Sequence, residues 1–128
     1  MLALLDTLKY LKKGGRISPL VAFAGTMLNI KPVIAVENGE IKLAGKAIGS
    51  KKGNNLLTEL IAKSNGIDFD MPYTTAYSNF DTFVLDKYIE DSSHLWKNNT
   101  TSIPKHMIGS TIGTHIGTGA IGVAFFEK

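Results

Sequence analysis

Apolar residues recur along this chain in two rhythms, one helical and one alternating. Near the start, Leu4, Leu5, Leu8 and Leu11 fall at i, i+1, i+4 and i+7, the spacing of one helical face. Asp6 stands early in that stretch and Lys9, Lys12 and Lys13 late, as the helix dipole prefers, and Gly14-Gly15 predicts the stop. Ser18-Pro19 predicts a second start, a hydroxyl cap followed by proline at the first helical position. The segment "PLVAFAGTMLNI" is apolar nearly all round, which predicts a buried or lipid-facing helix closed by Lys31-Pro32.

The rhythm then changes. "VIAVENGEIKLAGKAI" alternates around Asn38-Gly39, a two-residue hairpin turn. "KKGNNLLTELIAKSNG" returns to the helical period with Leu56, Leu57, Leu60 and Ile61 on one face and Gly66 as terminator. "PYTTAYSN" favours a strand through its Thr and Tyr content. "DTFVLDKYIEDSSHLW" predicts a helix capped by Asp81, with Val84, Leu85, Tyr88 and Ile89 inward. "KHMIGSTIGTHIG" and "AIGVAFFE" read as two final strands joined near Gly117 to Gly119. The order α-α-β-β-α-β-α-β-β predicts an α+β fold, a mixed β-sheet with packed helices.

Composition narrows the function classes. A length of 128 residues suits one domain with a core of its own. Hydrophobic residues at 44% and charged residues at 20% argue against global disorder. The net charge of +3 is too small to point to nucleic acid. With no cysteine there is no disulfide, no thiolate zinc site and no catalytic thiol, which fits a cytoplasmic protein. No apolar run approaches the roughly 18 to 20 residues of a membrane-spanning helix, and "MLALLDTLKYLKK" lacks the basic n-region and cleavage site of a signal peptide. The chain also starts abruptly on apolar residues.

Two stretches carry candidate chemistry. "IGSTIGTHIGTGAIG" places glycines at 109, 113, 117, 119 and 122 around His115. It lacks the Gly-x-x-x-x-Gly-Lys-Ser/Thr of a phosphate loop, and too little chain follows for a dinucleotide fingerprint. Two readings stay open: glycines that let backbones approach closely, or bare N–H groups that join His115 and hydroxyls around an anion. In "KKGGRIS", Arg16 lies between two predicted helices. It is either a solvated surface arginine or a bidentate fork for a carboxylate or phosphate. His94 and His106 have no partner at metal spacing, so no metal site is expected. No Ser/His/Asp set or carboxylate pair stands at catalytic spacing.

Three motifs in one order, Gly14-Gly15-Arg16-Ile17-Ser18, Asn29-Ile30-Lys31-Pro32, and Gly113-Thr114-His115 with Gly117 and Gly119, resemble the C-terminal domain of the DegV family. The resemblance spans nearly the whole chain. It implies a single DegV-like C-terminal domain over residues 1–128, without the N-terminal domain of the family, as in a truncated or split member. It further implies a binding protein rather than an enzyme, with a long-chain fatty acid as ligand and no cofactor. In the family's fatty acid kinase system, a separate ATP-dependent subunit phosphorylates the bound carboxylate. By the same resemblance His115, with Thr114 beside it, would meet the carboxylate, and Arg16 would pair with it. Leu20, Phe23, Ala24, Met27 and Leu28 of the apolar helix would wall the chain, each buried methylene contributing about 0.8 kcal/mol. Ser110 and Thr118 stand where family members often carry proline. The alternative from another class is a ligand-free structural or interaction fragment, which would form homo-oligomers through the surface left by the missing domain.

Overall fold

The computed structural model describes residues 1–7, 9–15 and 30–128. Its frame is a six-stranded sheet in the order β3-β2-β1-β6-β4-β5. The strands are β1 (Leu2–Leu4), β2 (Ile30–Glu37), β3 (Glu40–Ile48), β4 (Thr74–Tyr77), β5 (Lys105–Met107) and β6 (Ile121–Ala124). Every pairing is antiparallel except β4 with β5, so the sheet is mixed. The described helices are α1 (Lys9–Lys13), α2 (Ser50–Lys63), α3 (Phe83–Asp91), α4 (Ser93–Trp96) and α5 (Ser110–Ile116).

The expected first helix is corrected at its start. Leu2 to Leu4 form a strand, and it lies in the interior of the sheet between β2 and β6. Leu4 joins a cluster with Val33, Leu57, Ile61, Leu85 and Tyr88 on one face. Ala3 and Leu5 join Leu11, Ile34, Ile116 and Ala120 in a second cluster. A strand buried on both faces is apolar without alternation, and over a few residues it imitates a helical face. Among the described residues the helix runs over Lys9–Lys13 and stops at Gly14, whose N–H donates to the Tyr10 carbonyl at 3.0 Å.

Lys31-Pro32, expected to end a helix, lies inside β2. Both backbone polar groups of a strand residue point to the same neighbour. The Pro32 carbonyl accepts from the Leu5 N–H at 2.8 Å, just past the end of β1. The missing N–H is therefore on the side where the ladder has already ended. The rest of the predicted apolar helix, with Leu20, Phe23, Ala24, Met27 and Leu28, lies outside the described residues, as do Arg16 and the Ser18-Pro19 start.

The hairpin forms as expected. Asn38 and Gly39 both take positive φ, 51° and 77°, as a primed two-residue turn requires. The ladder skips Ala44. Leu43 consequently faces the second cluster while Gly45 faces Leu56 of α2. Helix α2 buries Leu57 and Ile61 as the pattern predicts. The predicted helix over 81–96 is broken at Ser92 into α3 and α4. The Ser92 hydroxyl donates to the Tyr88 carbonyl at 2.7 Å and accepts the Trp96 Nε1–H at 3.0 Å. Asp81 accepts the Phe83 N–H at 3.1 Å at the start of α3.

The largest departure is the glycine tract. Only Lys105 to Met107 of the predicted penultimate strand are extended. Residues Ser110 to Ile116 form helix α5, with Ile116 buried among Leu5 and Leu11. Glycine is a poor helix former by about 1 kcal/mol against alanine. Here tertiary packing overrides that preference, because α5 lies directly against α1 through glycine contacts described below.

Candidate functional site

Helices α1 and α5 meet at the end of the sheet where β1 finishes and β6 begins. His115 is half-buried on α5. Its imidazole lies over Gly14 so closely that a Cβ on Gly14 would overlap Nδ1 and stand 2.8 Å from Cε1. Reciprocally, the ring of Tyr10 on α1 covers Gly117, where a Cβ would stand 2.5 Å from Cδ2 and 2.6 Å from Cε2. Thus the structure brings His115 to the first glycine of the Gly-Gly-Arg motif. Thr114 precedes His115 on the same helix, with an exposed side chain.

Four N–H groups in the later part of the glycine tract are engaged within the protein. The Gly113 N–H donates to the Gly109 carbonyl and the Gly117 N–H to the Gly113 carbonyl, each at 2.9 Å. The Gly119 N–H donates to Asn79 Oδ1 at 2.7 Å, and the Ala120 N–H to Ser78 Oγ at 2.9 Å. The first two bonds lie within the tract, and the last two hold it against Ser78 and Asn79, which follow β4. Close backbone approach describes Gly117, which lies under the Tyr10 ring as Gly14 lies under the His115 imidazole.

A second junction lies beside the first. Lys31 forms an ion pair with Asp6, with the lysine side chain 17% and the aspartate 56% exposed. The pair borders a cavity of about 180 Å³ whose lining includes Leu4, Leu5, Asn54, Phe83 and Gly119. The Asn-Ile-Lys-Pro motif and the glycine tract therefore meet across the start of the chain. Sequence reasoning finds Lys31 only as part of its motif and does not find Asp6, Ser78 or Asn79 as site-building residues. A lone acid, a lone lysine and two loop amides or hydroxyls carry no spacing signal, and only the sheet order joins them.

Behind the cavity, Asn54 Nδ2 donates to Asp91 Oδ2 at 2.9 Å and Lys87 pairs with the same carboxylate at 3.3 Å. The Asn54 hydrogen bond foremost, with Lys87 adding to it, holds the Asp91 carboxyl below the usual carboxylate range. Burial pushes the Tyr88 hydroxyl above its ordinary value. Among the described residues, no group of three or more His, Cys, Asp or Glu could hold a metal ion. Among the same residues no helix is long and apolar enough to cross a membrane.

The comparisons with known proteins agree with this architecture. The family model described as "Uncharacterised protein, DegV family" matches residues 1–128. A DegV domain-containing protein of Caldanaerobacter subterraneus is 34% identical over 96% of this chain and 43% of its own length. The structure of a DegV family protein from Thermus thermophilus, described by its fatty acid binding, matches with a TM-score of 0.74 and 28% identity. It is covered over 96% of this chain and 44% of its own. The fatty acid kinase B3 protein of Streptococcus pneumoniae, loaded with linoleic acid, shares the fold with a TM-score of 0.76 at 22% identity, over 99% of this chain and 44% of its own. The chain thus spans less than half the length of the relatives it matches. With a family model matched from its first residue to its last, and the α1–α5 junction joining two of the motifs that suggested it, the chain belongs to the DegV family.

Proposed function

We propose that this chain binds a long-chain fatty acid and, as a non-catalytic subunit, presents the carboxylate to a separate ATP-dependent kinase subunit. In this reading His115 and Thr114 hydrogen-bond the carboxylate and Arg16 pairs with it. Leu20, Phe23, Ala24, Met27 and Leu28 line the chain. Residues 1–128 act as one unit in the cytoplasm. The observation that carries the reading is the contact of the His115 imidazole with Gly14, which brings it within two residues of Arg16 in sequence. A carboxylate leaving water needs a cation and hydrogen-bond donors, since an unpaired buried charge costs several kcal/mol. The fatty acid binding of the Thermus relative supports the ligand class, and the kinase B3 neighbour supports the partner.

Native mass spectrometry and lipid extraction of the purified chain test this directly. A bound fatty acid, or stoichiometric uptake of added oleate that His115→Ala weakens about tenfold, is the expected result. Absence of any bound or added fatty acid overturns it.

One observation favours a second reading, an interaction fragment. Phe80 is 100% and Phe83 75% exposed, and Phe83, at the start of α3, lines the cavity. Large contiguous apolar surface exposed to water marks an interaction site. Concentration-dependent dimerisation without lipid in analytical ultracentrifugation, abolished by Phe80→Ser with Phe83→Ser, supports that reading, and a monomer at all concentrations removes it.

A further inference from the structure

The contact between α1 and α5 is reciprocal. Each helix contributes one ring and is followed by one glycine: His115 of α5 lies on Gly14, just past α1, and Tyr10 of α1 lies on Gly117, just past α5. Tyr10 and Gly14 are also linked at the end of α1, through the Gly14 N–H to the Tyr10 carbonyl at 3.0 Å. Helices of five and seven residues are too short to hold themselves in water. Their mutual packing, and not their own propensity, sets where the imidazole stands.

We infer that Gly14 and Tyr10 are positioning residues for His115. Gly14 leaves the room in which the imidazole lies, and Tyr10 clamps the turn at Gly117 that follows it. The inference rests on the proposed role of His115 at a carboxylate. A hydrogen-bond donor to a carboxylate needs its ring in one orientation, and a ring held by packing loses little freedom when the ligand arrives. The two glycines differ in what substitution does. Gly117 takes φ +77°, so any side chain there strains the backbone. Gly14 has no such φ, and the atoms a Cβ would strike nearest belong to the His115 ring. A methyl group at Gly14 therefore displaces the imidazole while leaving the backbone intact.

The test is a double-mutant cycle read by calorimetric titration of the full chain with oleate, alongside ¹⁵N shifts of the His115 imidazole. Gly14→Ala is expected to weaken oleate binding about tenfold and to move the imidazole shifts, with an unchanged circular dichroism spectrum. In a His115→Ala background the same substitution is expected to cause no further loss. Tyr10→Phe should retain wild-type affinity, and Tyr10→Ala should lose about as much as Gly14→Ala. Wild-type binding within twofold for Gly14→Ala, or losses that multiply in the double variant, overturns the positioning role while leaving the fatty-acid reading standing. Should Gly14→Ala not fold, the Tyr10 pair decides: equal binding by Tyr10→Ala and Tyr10→Phe overturns it. No oleate uptake by the wild type instead overturns the fatty-acid reading, and the positioning role with it.

Discussion

At the scale of single residues, Gly117 shows why a glycine tract can be structural and still sit beside chemistry. Its φ of 77° with ψ of −177° is open to glycine almost alone. It ends α5 and turns the chain toward β6. Gly117→Ala is expected to destabilise the fold by about 1–3 kcal/mol, measured as a lower urea midpoint with an unchanged slope. The glycine density was plain in the sequence, and so was the presence of a lone histidine within it. What could not be read is that four of the tract's N–H groups are already bonded within the protein. Asn79 and Ser78 lie about forty residues away from their partners.

At the scale of elements, pattern served where one face meets one core. The Asn38-Gly39 hairpin and the Leu57–Ile61 face of α2 form as their periods predict. It misled at Leu2–Leu5, where both faces are covered, and at residues 110–116, where packing decides. The break at Ser92 is a side-chain effect that periodicity does not carry. Ser92→Ala would leave the Trp96 Nε1–H buried without its acceptor, at a cost of about 1–3 kcal/mol. The expected signature is a lower melting temperature, with the native baseline still showing the emission of a buried indole, as Trp96 is buried. Between α2 and α3, the Asn54–Asp91–Lys87 contacts predict acid sensitivity. The folded Asp91 carboxyl titrates below its unfolded value, so the stability it contributes is complete above the ordinary carboxylate pKa of about 3.9. It is lost as pH falls through the lower folded value. Urea denaturation across acid pH should show a steeper loss for wild type than for Asp91→Asn.

At the scale of the whole molecule, one interior strand organises both cores and the candidate site. β1 separates the cluster around Leu57 and Leu85 from the cluster around Leu11 and Ile116, and its end delivers Asp6 to Lys31 and Gly119. Leu5 is fully buried in the second cluster, beneath the α1–α5 junction. Leu5→Ala is expected to cost about 2–5 kcal/mol and to loosen α1 and α5 before the opposite face. Hydrogen exchange should show that order, with amides of 110–116 losing protection ahead of those in α2. Uniform loss across both clusters would mean the two faces unfold as one unit.

The sequence by itself determined the α+β class, the hairpin, the helical face of α2 and the three motifs that resemble the DegV family. Each of these is local, set by turn chemistry, a single buried face or residues adjacent along the chain. Tertiary structure alone decided that Leu2–Leu4 is an interior strand, that the glycine tract folds into a helix, and that His115 lies on Gly14. Those outcomes depend on burial from two sides and on contacts a hundred residues apart in sequence. No period along the chain records them, because the energy that selects them comes from the partner surface and not from the segment.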